Sequence, residues 1–133
     1  MRVVCALLYR EQKILLARRP FEKHHGGLWE FPGGKLQKGE DAWPALQREL
    51  AEELGIQVVS GQRLGAVHCD NIELTSFLCT TSDPIIPKEH IGFAWLPFEQ
   101  IPANFPLCPS DQQTLKNHQK NIFSFFTHPK NTP

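Results

Sequence analysis

The stretch Gly33-Gly34-Lys35-Leu36-Gln37-Lys38-Gly39-Glu40-Asp41-Ala42-Trp43-Pro44-Ala45-Leu46-Gln47-Arg48-Glu49-Leu50-Ala51-Glu52-Glu53-Leu54-Gly55-Ile56 decides how this chain is read. It opens as a glycine loop, in which Gly33-Gly34 lets backbone approach a phosphate or metal closely, with Lys35 at hand. From Asp41 to Leu54 the pattern turns helical. At about 100° per residue, Trp43, Leu46, Leu50 and Leu54 fall within about 80° of one another, a core-facing stripe. Asp41 stands where an N-cap belongs, Pro44 falls in the first turn where its missing N–H costs little, and Gly55 ends the helix. Glu49, Glu52 and Glu53 occupy i, i+3 and i+4 on a different face. Three neighbouring carboxylates repel one another, and a hard divalent cation such as magnesium, which takes oxygen ligands, is their natural compensation. On spacing alone, a solvated acidic face is the alternative.

The rest of the chain sets the frame. Its 133 residues, 41% hydrophobic and 21% charged, suit a single domain with one core. No apolar run reaches the roughly 20 residues that span a bilayer, and Met1–Arg10 reads as a strand rather than a secretory leader. Fourteen basic residues balance fourteen acidic ones. Long nucleic acid is normally gripped by a basic surplus, so zero net charge favours a small phosphorylated ligand over a duplex. Cys5, Cys69, Cys79 and Cys108 show no metal-ligand spacing and read as free thiols in a reducing cytoplasm. His24-His25 reads as part of a solvated loop.

Val3–Tyr9 and Lys13–Ala17 flank a short polar turn and form an expected hairpin. Ile56–Val59, Arg63–His68, Ile72–Thr80 and Gly92–Leu96 read as further strands, with Asp70-Asn71 marking a turn. A last helix is expected from Ser110 to about Phe123, with Ser110 and Gln113 in the form of a capping box. One domain over residues 1–126 and a frayed tail over 127–133 complete the organisation.

The spacing Gly34-x5-Glu40-x7-Arg48-Glu49-Leu50-x-Glu52-Glu53-x-Gly55-Ile56 resembles the Nudix box at every defined position. Leu28-Trp29-Glu30-Phe31-Pro32-Gly33-Gly34-Lys35 is similar to the MutT-type subgroup, which acts on nucleoside triphosphates. The resemblance implies an α/β fold, an α/β/α sandwich around a mixed sheet with the box as loop–helix–loop. It implies that Glu49, Glu52 and Glu53, with the carbonyl of Gly33, bind magnesium (or manganese), that Arg48 orients the acids, and that Glu40 braces the loop. Gly34 and Gly55 are structural in that motif. Glu89, six residues before Trp95, matches a further metal-binding and catalytic acid, against the alternative of an exposed loop charge. Arg19 matches an arginine on substrate phosphate, and its planar fork suits that task. Phe31 and Lys35 complete the substrate-binding set. The implied reaction is hydrolysis of a nucleoside triphosphate to a monophosphate and pyrophosphate, a nucleotide-pool sanitation chemistry. The base that activates water is Glu49 or Glu89. Cleavage of a capped or triphosphorylated RNA end or of a nucleotide sugar, and a non-catalytic sensing module, are the rival readings.

Base recognition in this subgroup is expected from a residue opening the last helix. In Phe105-Pro106-Leu107-Cys108-Pro109-Ser110-Asp111 that residue is Asp111, where relatives directed at oxidised guanine carry asparagine and those directed at cytidine triphosphate carry aspartate. An ionised carboxylate only accepts hydrogen bonds, so it suits the cytosine amino group or the N1–H edge of guanine alike. A first-turn acid serving the helix dipole is the plain alternative. A second register would put Asn104 at that site.

Overall fold

The structure, a computed structural model, describes residues 1–101 and 106–127. Asn104 and residues 128–133 of the expected tail lie outside the described residues. Seven strands form one mixed sheet: β1 (Arg2–Arg10), β2 (Lys13–Arg18), β3 (Trp29–Glu30), β4 (Gly33–Lys35), β5 (Gly61–Cys69), β6 (Ile72–Cys79) and β7 (Gly92–Pro97). The main path runs β3-β2-β1-β6-β5, with β4 on β1 and β7 on β2. β1 and β6 run parallel, from Arg2 beside Glu73 to Leu8 beside Cys79, and the other pairings are antiparallel.

Two tight turns set these registers. Glu11 and Gln12, at φ 52° and 64°, join β1 to β2, and Asp70 and Asn71, at φ 51° and 60°, join β5 to β6. Two consecutive residues with positive φ make the hairpin turn whose twist matches the flanking strands, and Asp and Asn enter that region with little penalty.

Helix α1 (Ala42–Leu54) covers one face of the sheet and α2 (Pro109–Thr127) the other. Because both faces are covered, β1 is apolar without interruption. Its Val4, Ala6 and Leu8 pack with Leu46, Leu50 and Leu54 of α1, while Cys5 and Leu7 pack with Leu115 and Ile122 of α2. The α/β/α sandwich expected from the sequence is therefore the architecture. No helix among the described residues is long and apolar enough to cross a membrane.

Local departures have local causes. Ile56–Val59 is not a strand. Ile56 and Val58 are buried and Val59 is exposed, as strand alternation would have it, but the segment pairs with no strand among the described residues. Side chains serve that backbone instead: Gln57 N–H donates to Asp83 at 2.9 Å, and Gln47 Nε2 donates to the Val58 carbonyl at 2.8 Å. Asp41 sits at the N-cap of α1, yet its side chain makes no cap hydrogen bond. The expected Ser110/Gln113 capping box does not form, because α2 starts at Pro109, with the Cys108 carbonyl accepting from Gln112 N–H at 3.0 Å. Proline tolerates that first position. The same helix runs on to Thr127, its last turn held by Phe125 and Phe126 against the Tyr9 ring, with centroids 4.9 and 5.9 Å away. Gly55, at φ 66°, closes α1 in the left-handed conformation, its N–H reaching back to the Ala51 carbonyl.

Candidate active site

β4 runs antiparallel to β1, and the two glycines make that possible. A Cβ on Gly33 would collide with the Val4 carbonyl, and one on Gly34 would fall on the carboxylate of Glu49. The missing side chains let strand and acid helix meet. Behind this contact, Arg48 donates through Nε and Nη2 to both oxygens of Glu40, at 2.8 and 2.9 Å. Its Nη1 reaches Glu49 at 3.0 Å and Glu52 at 3.2 Å, and Nη2 also reaches the Lys35 carbonyl at 3.1 Å. The planar guanidinium is the only cationic side chain that can hold so many acceptors in one plane. Glu40 in turn accepts from Gln37 N–H at 2.8 Å. Hydrogen bonds from Arg48 hold its carboxyl down at about 2.

Glu49 and Glu53 turn into a cleft of about 600 Å³, whereas Glu52 does not line it and stands 58% exposed on the outer side of Arg48. Burial pushes Glu49 up, against the pull of Arg48. Glu53 is pushed up to about 7, first by burial and then by Glu49, Glu30 and Glu89, with His90 opposing. Its Oε2 is buried and has no hydrogen-bond partner among the described residues. A desolvated carboxylate oxygen near other carboxylates is relieved by a proton or by a bound cation. The oxygen donors on offer suit a hard divalent one.

The opposite wall comes from the segment before β7. There Ile86 N–H donates to the Leu54 carbonyl at 2.9 Å, Lys88 N–H to Glu53 at 3.0 Å, and Ile91 N–H to Arg18 at 3.0 Å. This segment brings Glu89 to the cleft that Glu53 lines, and there Glu89 forms an ion pair with Lys23 at 3.1 Å. Beside it, His90 Nε2 meets Glu30 Oε2 at 2.9 Å, and Arg19 Nη1 donates to Glu30 Oε1 at 2.9 Å. Arg19 Nε donates to the His24 carbonyl at 2.8 Å, while its Nη2 makes no hydrogen bond among the described residues. His24-His25 and Lys35 also line the cleft.

The far end of the cleft is built by β3. Trp29 N–H donates to the Pro106 carbonyl and Cys108 N–H to the Trp29 carbonyl, both at 2.9 Å. That pairing carries the first turn of α2 to Phe31, whose N–H donates to Asp111 Oδ1 at 3.0 Å. The Phe31 ring packs into the core and is 2% exposed. Asp111 is 5% exposed, and its carboxyl is pushed up to about 8 by burial and by Glu30, against the Phe31 N–H and Arg19. Glu30, Cys108 and Asp111 gather their donor atoms within 4.8 Å of one another. This trio suits a proton better than a metal. Both Glu30 oxygens already have partners, and burial pushes the Cys108 thiol up to about 12.

Of the residues singled out in the sequence, the cleft gathers Gly33, Gly34, Lys35, Glu49, Glu53, Glu89, Arg19, Phe31 and Asp111. Glu40 and Arg48 stand behind it, Gly55 ends the helix, and Glu52 is turned away. Glu30 and His90 were missed. Glu30 stood inside the quoted Leu28–Lys35 stretch and His90 beside Glu89, but no spacing links two residues 60 positions apart.

The sequence profile of the NUDIX domain matches residues 1–118. The CTP pyrophosphohydrolase of Escherichia coli strain K12 is 35% identical over 123 residues, covering 86% of this chain and 87% of that protein. The 8-oxo-dGTP diphosphatase of Proteus vulgaris is 44% identical over 75 residues, 53% of this chain and 67% of that protein. The crystal structure of a MutT NUDIX hydrolase from Burkholderia pseudomallei superposes with a TM-score of 0.76 at 26% identity, covering 86% of this chain and 95% of that one. Profile, relatives and architecture agree with the acid helix and its glycine strand, and the chain belongs to the NUDIX domain family as a MutT-like Nudix hydrolase.

Proposed function

We propose that this chain hydrolyses a nucleoside triphosphate to the monophosphate and pyrophosphate with magnesium, or manganese, as cofactor. The observation that carries the reading is one cleft holding Glu49, Glu53 and Glu89 together with Arg19 and Lys35, with Glu53 Oε2 buried and without a partner among the described residues. Nudix hydrolases generally use divalent metals. Here Glu49, Glu53, Glu89 and the Gly33 carbonyl would hold the ion, and Glu52, paired with Arg48 outside the cleft, would join them only after its side chain turns. When bound, it supplies charge neutralisation on the polyphosphate and acidifies water.

The side chains do the rest. Arg19 offers its uncommitted Nη2 to phosphate oxygen, held in plane by Glu30 and the His24 carbonyl. Lys35 adds a second positive charge at the glycine strand. Glu49 or Glu89 takes the proton of the attacking water, and Arg48 keeps Glu49 oriented. At the far end, Asp111 is the candidate reader of the base. With its carboxyl pushed up to about 8, it presents an O–H donor as well as an acceptor at neutral pH. The names of the relatives, one for CTP and one for 8-oxo-dGTP, bracket the same choice. A small nucleotide is the partner, and the four free cysteines suit a reducing cytoplasm.

The test is product analysis over CTP, dCTP, dGTP and 8-oxo-dGTP, with and without excess chelator. Pyrophosphate release that stops in chelator is the expected result. Orthophosphate release, or full activity in chelator, would overturn the reading.

A further inference from the structure

The segment carrying Glu89 is held at its backbone on both sides, by Lys88 N–H on the Glu53 carbonyl and Ile91 N–H on the Arg18 carbonyl. One side is thus tied to the last turn of α1 and the other to the end of β2. Neither bond fixes the two residues between them. The Glu89 side chain is 62% exposed, and its ion pair with Lys23 joins two solvated groups, a weak restraint.

His90 is placed differently. Its side chain is 5% exposed, and Nε2 lies 2.9 Å from Glu30 Oε2. The other Glu30 oxygen is held by Arg19 Nη1 at 2.9 Å. A continuous chain of hydrogen bonds therefore runs from Arg19 through Glu30 to His90, and the residue preceding His90 is Glu89. Partly buried, such a chain strengthens its own links and resists rearrangement.

We propose that His90 is the positioning residue of this cleft: through its hydrogen bond to Glu30 it fixes the adjoining Glu89 in the cleft that Glu49 and Glu53 also line. The inference rests on the hydrolytic reading above. It assigns His90 no contact with substrate and no proton to move. Its work is done through Glu89. Removing the imidazole frees the strap between Lys88 and Ile91 while leaving the Arg19–Glu30 pair in place, so turnover suffers and substrate affinity does not.

The choice of replacement tests this geometry. Glutamine can carry an amide N–H to where His90 Nε2 stands, whereas asparagine is too short to reach Glu30. The full chain is assayed with CTP and 8-oxo-dGTP as probes, and amide exchange is measured without metal or nucleotide. His90→Ala and His90→Asn should raise exchange at the Lys88 and Ile91 amides about 10-fold or more and leave the Leu50 amide of α1 unchanged. They should lower kcat about 10- to 100-fold with KM within about threefold, and His90→Gln should restore both readouts. In a Glu89→Gln background, His90→Ala should cost nothing further, since both act through one carboxylate.

Unchanged exchange at Lys88 and Ile91, or a loss that adds in full to that of Glu89→Gln, would overturn the proposal. If the parent chain cleaves none of CTP, dCTP, dGTP and 8-oxo-dGTP while His90→Ala still loosens those amides, the nucleoside triphosphate reading falls and the anchoring by His90 stands.

Discussion

Replacing Asp111 by asparagine should remove a pH dependence of stability that the buried carboxyl imposes. Asp111 is 5% exposed, and its carboxyl is pushed from 3.8 up to about 8, chiefly by burial and secondly by Glu30. That rise is about four units, which at about 1.36 kcal/mol each sets a ceiling of about 6 kcal/mol. Water entering through the cleft and local relaxation reduce the expected effect to about 2–4 kcal/mol. Between about pH 4 and about pH 8 the folded chain keeps a proton on Asp111 that the unfolded chain has released. Stability therefore falls as pH rises through that window: the contribution is complete below about pH 4 and lost above about pH 8. Asparagine keeps the acceptor for Phe31 N–H at nearly the same volume and cannot ionise. The assay is urea unfolding of both proteins in chelator, followed by tryptophan fluorescence, from pH 5 to pH 8.5. Asp111→Asn should gain on its parent by about 2–4 kcal/mol across that range. A gap that stays constant within about 0.5 kcal/mol would show that Asp111 titrates as an ordinary carboxyl, and the reasoning would fall.

The same variant bears on the base. If Asp111 contacts it, Asp111→Asn should reorder kcat/KM among CTP, dGTP and 8-oxo-dGTP by about 1–3 kcal/mol, and unchanged ratios would leave it a structural residue. Glu53→Gln should fold as well as its parent, because burial already disfavours the charge, yet bind manganese at least about 10-fold more weakly by titration. Equal affinity would remove Glu53 from the metal site. Glu89→Gln should lower kcat by about 10²-fold or more, and a loss under threefold would make Glu89 a loop charge only. Gly34→Ala should push the Glu49 carboxylate off β4, costing about 1–3 kcal/mol in urea unfolding along with most of the activity. Parent-like kinetics would refute that contact.

The acid helix was legible in the sequence because its determinants are local. The Trp43–Leu54 stripe, the stop at Gly55 and the i, i+3, i+4 carboxylates all follow from the pitch of one helix. The turn at Asp70-Asn71 is local as well, and so is the Glu11-Gln12 turn that joins the first two strands. Ile56–Val59 shows the limit of such reasoning. Alternating burial is necessary for a strand, but a neighbour with open hydrogen bonds is also required, and only the packed fold shows that Asp83 and Gln47 serve that backbone instead. The Ser110 capping box failed likewise, because the pairing of Trp29 with Pro106 and Cys108 set where α2 begins.

Within the site, sequence alone named the charged residues and marked Gly33-Gly34 as a place of close backbone approach, expected toward phosphate or metal, whereas the fold sets Gly33 against Val4 and Gly34 against Glu49. Tertiary structure decided what each charge faces. It turned Glu52 outward, left Glu53 Oε2 without a partner among the described residues, and enclosed Asp111 beside Glu30, where burial pushes its carboxyl up to about 8. It also joined Arg19, Glu30 and His90, which stand 11 and 60 residues apart. The reason is physical. Periodicity and capping act over a turn or two of chain, whereas desolvation and ion pairing depend on what lies within a few ångströms in space, and in this fold those neighbours come from the residue after β2, from β3, α1 and α2, and from the segment before β7.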